Sequence, residues 1–462
     1  MSRQNQSAVD ALNPQNTASS LTEFYPNPST SLYLSPRIDL QLGGSNTISI
    51  RDAFYRTTTN GNGVGALNLP QQANNSDSEA NTLQLDDTIL VNPRLVNETR
   101  IFWIRVRSEQ TPLYFTPAVV VQGAFTSGGS SAGIVQDHDD SVELQNFSTA
   151  TAGNHTLHFG VRLDSYRDAN YSTSGSNGTY IFNSVASYQA GTPSQYTATD
   201  IHNPLARALL FSGALFLQDD WQWKPNFELG LGLRFEGQNR IHNRTDWAPR
   251  IALAWTPRHF AGAPAKTVVR AGYGWFYNPF TVPDSFGSAG GTPYIVQAIH
   301  DNGVNQQSYV SGVLTVHTIA PNFRVALDMQ GGIGVDHQLA GNVTGNVTYL
   351  YTQGVHQYLT NNVTAPAFNA ATYTVAGAAP TEYNYQFQSG GFYRQQQLIF
   401  TVSMHSRHFV TNGVYTLNEA KSDTQGVTSF PSVPQDPGLD YGRAVFGVRS
   451  QAEVLDSYTA PY

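Results

Sequence analysis

The run Asp137-His138-Asp139-Asp140 places four side chains able to bind a metal or carry a proton in consecutive positions. Carboxylate oxygen and imidazole nitrogen are ordinary ligands of divalent ions, so this run is the first candidate for chemistry. Its spacing does not reproduce a calcium-binding loop, in which ligands alternate over about twelve residues around a fixed glycine. It falls in a connection between two strand-like segments and there reads as a solvated turn. Two glycine pairs, Gly230-Leu231-Gly232 and Gly272-Tyr273-Gly274, have the look of phosphate loops. A phosphate loop needs a helix behind it and a Lys-Ser/Thr pair. Neither pair has them, and glycine inside a strand serves close packing against a neighbour instead. Trp221 and Trp223 precede a turn at Lys224 and share a face with Leu215, Leu217 and Asp219. They fit an aromatic belt at a membrane interface, with carbohydrate stacking as the rival, and Asp219 must then sit near the headgroups or in a rim contact. The twelve histidines are scattered. No His-Ser-Asp set or carboxylate pair can be picked out, so no catalytic residue, cofactor-binding residue or metal ligand is assigned, no cofactor is expected, and the chain does not read as an enzyme.

The elements that carry these residues have a period of two. In FELGLGLRFE, Phe227, Leu229, Leu231, Leu233 and Phe235 fall on one face of an extended chain, and Glu228, Gly230, Gly232, Arg234 and Glu236 on the other. A helix would smear the five apolar residues around its surface, so the stretch predicts a strand with one apolar and one polar face. The same alternation recurs at Leu157 to Leu163, Val269 to Tyr277, Val343 to Tyr351 and Leu398 to Met404.

Composition narrows the architecture. Charged residues make up 13% of the 462, against roughly a quarter in ordinary soluble domains, while aromatics reach 12% and glycines number 40. With no cysteine, disulfides, thiolate metal sites and thiol catalysis are excluded. A net charge of -8 without a basic stripe argues against nucleic acid as a partner. The most apolar stretch, Ala206 to Leu217, is too short for a spanning helix and is broken by Arg207, Ser212 and Gly213.

Residues 1–28 are polar and aperiodic and are expected to form a flexible lead-in. Strand-like segments follow, among them 46–57, 83–91, 96–108, 116–124, 141–149, 154–166, 179–188, 207–223, 226–237, 292–299, 341–360 and 382–405. Tight connections such as Lys224-Pro225-Asn226 alternate with long polar ones such as 58–82 and 168–178, which is how outer-membrane barrels are built. No repeat of 20 to 50 residues marks a propeller or solenoid, and the strands are long for a sandwich. The expected fold is all-β, a transmembrane antiparallel β-barrel of the outer-membrane type. It would occupy residues 29–462, with one face toward lipid and a polar interior.

FLQDDWQWKPNFELGLGLRFE, then DWAPRIALAW, then KTVVRAGYGWFYNP resemble in order and spacing the barrel of TonB-dependent receptors, in particular the Oar-like branch. GNHTLHFGVRL upstream and the segment from YNYQFQSGG to YTLNEAKSD downstream resemble further strands of that family. The resemblance implies a barrel of about twenty-two strands, plugged by an amino-terminal domain and energised from the inner membrane. Its partners would be outer-membrane lipid, a TonB-type energy-coupling complex acting through the plug, and an unidentified bulky solute. The opening residues carry no apolar leader and no plug, and the strand list falls short of the family's barrel. The chain is therefore expected to be a fragment of a larger barrel or the product of a broken reading frame, incomplete and inactive alone. A passive porin and a secreted β-rich adhesin or carbohydrate-binding protein are the alternatives. The porin would need a constriction loop, the adhesin charged outer faces.

Overall fold

The computed structural model describes residues 6–201, 204–241, 245–257, 266–280, 308–310, 313–369, 371–372, 374–375 and 382–460. Among these, long antiparallel strands succeed one another around a sheet that closes as a barrel. Phe227–Gln238 pairs on one side with Leu205–Lys224 and on the other with Asp246–Trp255. Farther round, Val343–Asn362 lies between Ala326–Ala340 and Glu382–His405. The alternation works as the sequence requires. Leu209, Phe211, Leu215 and Leu217 point outward and are exposed, whereas Ala206, Ala208 and Leu210 point inward and are buried. The inverted exposure of leucine identifies the outer surface as the one that meets lipid. No helix among the described residues is long and apolar enough to cross a membrane, which leaves crossing to the strands.

Most tight turns between the described barrel strands lie at one rim and most long connections at the other. Gly43–Ser45, Pro93-Arg94, Gly153-Asn154, Pro225-Asn226 and Gly341-Asn342 close hairpins at the short-turn rim. At the long-loop rim the strands outrun their expected length. Asn46–Asn62 and Asn74–Asn92 consume most of the connection expected at 58–82, and His155–Ser172 runs into the one expected at 168–178. Cross-strand hydroxyl, amide and ion pairs, such as Arg56 Nε to Asp77 Oδ1 at 3.1 Å, let polar segments pair where hydropathy alone suggests a loop. The segment 116–124 supplies Ala118–Val121, which belongs to a separate four-stranded sheet beside the barrel. Residues 179–188 divide into the strand Thr179–Phe182 and a short helix, Val185–Gln189, capped by Ser184. The segment 292–299 lies outside the described residues.

The expected lead-in is instead ordered. Gln6–Asn13 and Asn16–Pro26 form a hairpin that sits on the long-loop rim. Val9, 0% exposed, packs with Ala11, Val64, Leu69, Val121 and Phe125. Asp10 N donates to Ala66 O at 2.8 Å and Leu12 N to Ala124 O at 3.1 Å. Few apolar residues in 1–28 suffice because they meet apolar residues supplied by three other connections, a coincidence invisible to local composition. From this hairpin the chain enters its first barrel strand, Ser29–Leu34 continuing as Arg37–Leu42, at the long-loop rim. Its last strand, Ser450–Tyr458, ends at the opposite rim, where Tyr458 stands across from Phe409. The strand order sets these first and last strands next to each other, although no backbone register joins them among the described residues. Every residue of Arg37–Leu42 and of Ser450–Tyr458 is exposed.

Candidate functional site

The inward faces of adjacent strands build a chamber of about 290 Å³ below the long-loop rim. Its wall carries charge. Arg162 Nη2 lies 3.0 Å from both Glu143 Oε2 and Asp164 Oδ1, and Ser212 Oγ donates to Asp164 Oδ2 at 3.4 Å. Two strands on, Arg234 pairs with Glu236. These residues come together because their positions share the parity of the polar face and because register sets Glu143 opposite Asp164. Paired charge is the condition on which ionised groups persist in a confined interior.

The roof is apolar. Phe280, Phe323 and Phe387 are buried with Leu210, Ile241 and Val325, and Tyr166 and Tyr358 pack against them. The rings of Phe280 and Phe323 meet edge-to-face at 4.9 Å, and Phe323 stacks on Tyr358 at 5.2 Å. Phe280 N donates to Gln238 Oε1 at 3.1 Å, which ties the roof to the wall. A charged chamber under an aromatic lid can hold a polar solute while excluding free passage.

The Asp137–Asp140 run is not a turn. It lies within the strand Val135–Ala152, and alternation divides it between two faces. Asp140 is held by Arg105 Nε and Arg107 Nη2, both at 2.8 Å, and His138 on the same face approaches Glu109. Asp137 and Asp139 turn the other way and meet Asp168 from the next strand, whose register places it opposite Asp139. One oxygen of each of these three carboxylates lies within 4.8 Å of the other two. Tyr166, which lines the chamber, donates its hydroxyl to Asp139 Oδ1 at 2.7 Å, and Asn170 Nδ2 donates to Asp137 Oδ1 at 3.3 Å. Asp168 was invisible to motif reading because only strand register brings it to the run. The signal that could have found it is the matching alternation of Asp137/Asp139 and Asp168/Asn170 across one predicted hairpin.

The glycine pairs lie mid-strand and border a wider hollow of about 570 Å³ with Gln218, Asp220 and Arg250. Gly332 and Gly334 from a later strand extend the bare wall, so glycine here leaves space as well as permitting close packing. A Cβ on Gly332 would stand 2.6 Å from Leu350 Cδ2. Trp221 and Trp223 stand at the short-turn end on the outward side, beside Phe227 and Lys224, whose Nζ lies 4.7 Å from the Trp223 ring centroid. Asp219 on the same face is paired with His155, Nδ1 to Oδ2 2.8 Å, and that imidazole stacks on Trp221. The rim contact expected of Asp219 is this one.

The model of the family described as outer membrane beta barrel domain matches residues 2–246 and 238–462. The chain belongs to that family. It is a β-barrel of the outer membrane, which the outward leucines require independently. Its fold is similar to that of the outer membrane transporter YddB from Escherichia coli, with 14% identity, a TM-score of 0.62, and 88% of this chain matched to 50% of that one. The ferripyoverdine receptor of the outer membrane of Pseudomonas aeruginosa matches at 11% identity and TM-score 0.56, covering 94% of this chain and 53% of the receptor. The copper transporter OprC matches at 10% identity and TM-score 0.54, covering 98% of this chain and 61% of OprC. The chain thus spans half to three-fifths of the length of these structures. No curated protein matches the sequence significantly.

Proposed function

We propose that the chain forms the barrel of a TonB-dependent outer-membrane receptor of the Oar-like branch, which passes a bulky solute inward when driven by an inner-membrane energy-coupling complex. The observation that carries this reading is the packing of the described connections at the long-loop rim into buried clusters. The hairpin Gln6–Pro26 and the connections at 63–73 and 118–128 share one buried cluster, and Phe280, Phe323 and Phe387 share another. A passive pore needs an open lumen, whereas connections packed into buried clusters at the rim clear a path only by rearrangement, which is what an energised receptor supplies. The adhesin alternative expects charged outer faces, and this barrel exposes Leu215, Leu217, Leu231 and Ile251 there. The similar folds of a transporter and a ferripyoverdine receptor support the reading at the level of architecture.

The test is to express the protein in a Gram-negative host with and without a functional TonB system and to follow candidate solutes into the periplasm. Uptake that disappears with the coupling system is expected of a receptor containing this barrel, while the chain expressed by itself, spanning half to three-fifths of the matched structures, is expected to give none. Steady ohmic conductance of the purified barrel in planar bilayers, independent of any coupling protein, would favour the porin instead.

A further inference from the structure

We infer that Asp137, Asp139 and Asp168 form a site for a hard divalent cation of the calcium class, set at the outer end of the hairpin that walls the chamber. The site offers oxygen ligands from three carboxylates and neither His nor Cys, a donor set that selects calcium, magnesium or manganese over zinc and copper. Coordination habit favours calcium, which accepts irregular carboxylate cages, over magnesium, which keeps several waters and is seldom held by protein oxygens alone. Calcium bonds oxygen at about 2.4 Å, so ligands on opposite sides of the ion stand about 4.8 Å apart. The three oxygens lie within 4.8 Å of one another, close enough for one ion to reach them all.

A group of acidic residues alone would not indicate a ligand. Here Asp168 is 0% exposed, and its Oδ1 has no hydrogen-bond partner among the described residues, while Oδ2 receives a 3.4 Å contact from the Tyr166 hydroxyl. A wholly buried carboxylate with an open oxygen, placed beside two more carboxylates, is costly unless a cation or a proton completes it. The arginines nearest in register are engaged with Asp140 on the opposite face. Tyr166 and Asn170 act as an outer layer, orienting Asp139 and Asp137 by hydrogen bonds to oxygens that a cation can share. Bound there, the ion would cross-link the two strands just below the connection 173–204 and fix Tyr166, which packs against the roof.

The experiment uses the full chain, folded in detergent, free of lipopolysaccharide and stripped with chelator. Calcium chloride and terbium chloride are the probes. Calcium should raise the thermal midpoint, and terbium should give tyrosine-sensitised emission that calcium competes away, with affinity in the range of about 10⁻⁴ to 10⁻³ M usual for extracellular calcium modules. Asp168→Asn should weaken both responses at least tenfold while raising the midpoint of the cation-free protein, because it removes the repulsion that the ion neutralises. Asp137→Asn provides the same test should the first variant fail to fold. Absence of both responses in the unaltered chain, or their persistence in either variant, would overturn the site and leave a shared proton as the neutralising partner.

Discussion

Replacing Leu231 by arginine is expected to prevent assembly, because Leu231 is 45% exposed on the outer face and an arginine at the bilayer midplane costs about 2 to 4 kcal/mol. Gly232→Ser, one residue on, should be tolerated. A Cβ there would meet only ordinary contacts, the nearest being Arg250 Cβ at 3.5 Å, and the hydroxyl faces the polar hollow. Heat-modifiable migration of outer-membrane fractions separates the two, and equal tolerance would remove the lipid-facing assignment. Gly160 gives the contrary case for glycine. A Cβ there would lie 2.3 Å from Asn146 O, a backbone atom that cannot yield. Gly160→Ala should therefore lower the thermal midpoint where Gly232→Ser does not. Face assignment at this scale was legible from parity alone, since odd and even positions of FELGLGLRFE already name their solvent. The cluster at Asp137, Asp139 and Asp168 was not, because a motif read along one strand cannot contain the residue that register supplies from the next.

The hairpin Gln6–Pro26 shows what composition misses in an element. Its apolar residues are few, yet Val9 and Ala11 are buried because Val64, Val121 and Phe125 arrive from elsewhere in the chain. Val9→Asp would bury a carboxylate in this cluster without a prepared partner. It should release the hairpin, exposing the connections 63–73 and 113–134 to protease while leaving the strands intact. Limited proteolysis in detergent checks this, and an unchanged digestion pattern would mean that the hairpin does not hold the roof. The strand Val313–Ile319, beyond the membrane-spanning segments in the long connection before Ala326, brings a pH dependence. His317 lies beside the rings of Tyr385 and Phe387, and burial lowers its pKa to about 4. The folded protein therefore keeps the imidazole neutral at a pH where the unfolded chain, titrating near 6.5, already binds a proton. Stability from this residue is complete above about pH 6.5 and falls as the pH drops toward 4. His317→Gln should flatten the dependence of the thermal midpoint across that window. The barrel strands themselves were legible because alternation is a property of each strand alone. The lengths of their outer ends were not, since polar cross-strand pairs such as Arg56 with Asp77 extend them beyond the hydrophobic signal.

At the scale of the molecule, the absence of cysteine makes topology directly measurable. A single cysteine at Gln15, in the turn of the rim hairpin, should react on intact cells with a maleimide too bulky to pass the outer membrane. One at Arg407, in the turn between Glu382–His405 and Phe409–Ser422, should react only after permeabilisation. The reverse pattern would invert the barrel in the membrane. The entry of the chain at one rim and its departure at the other also fix a direction. Ser29–Leu42 and Ser450–Tyr458 both run from the long-loop rim toward the short-turn rim, in the same sense. Among the described residues Ser29–Leu42 bonds only to Asn46–Asn62 and Ser450–Tyr458 mainly to Phe409–Ser422, so the two co-directional strands carry no backbone register to each other. With one edge of each strand left without a backbone partner among the described residues, that line is the wall's built-in zipper, the place where amide protons should exchange first and where a widening barrel would part.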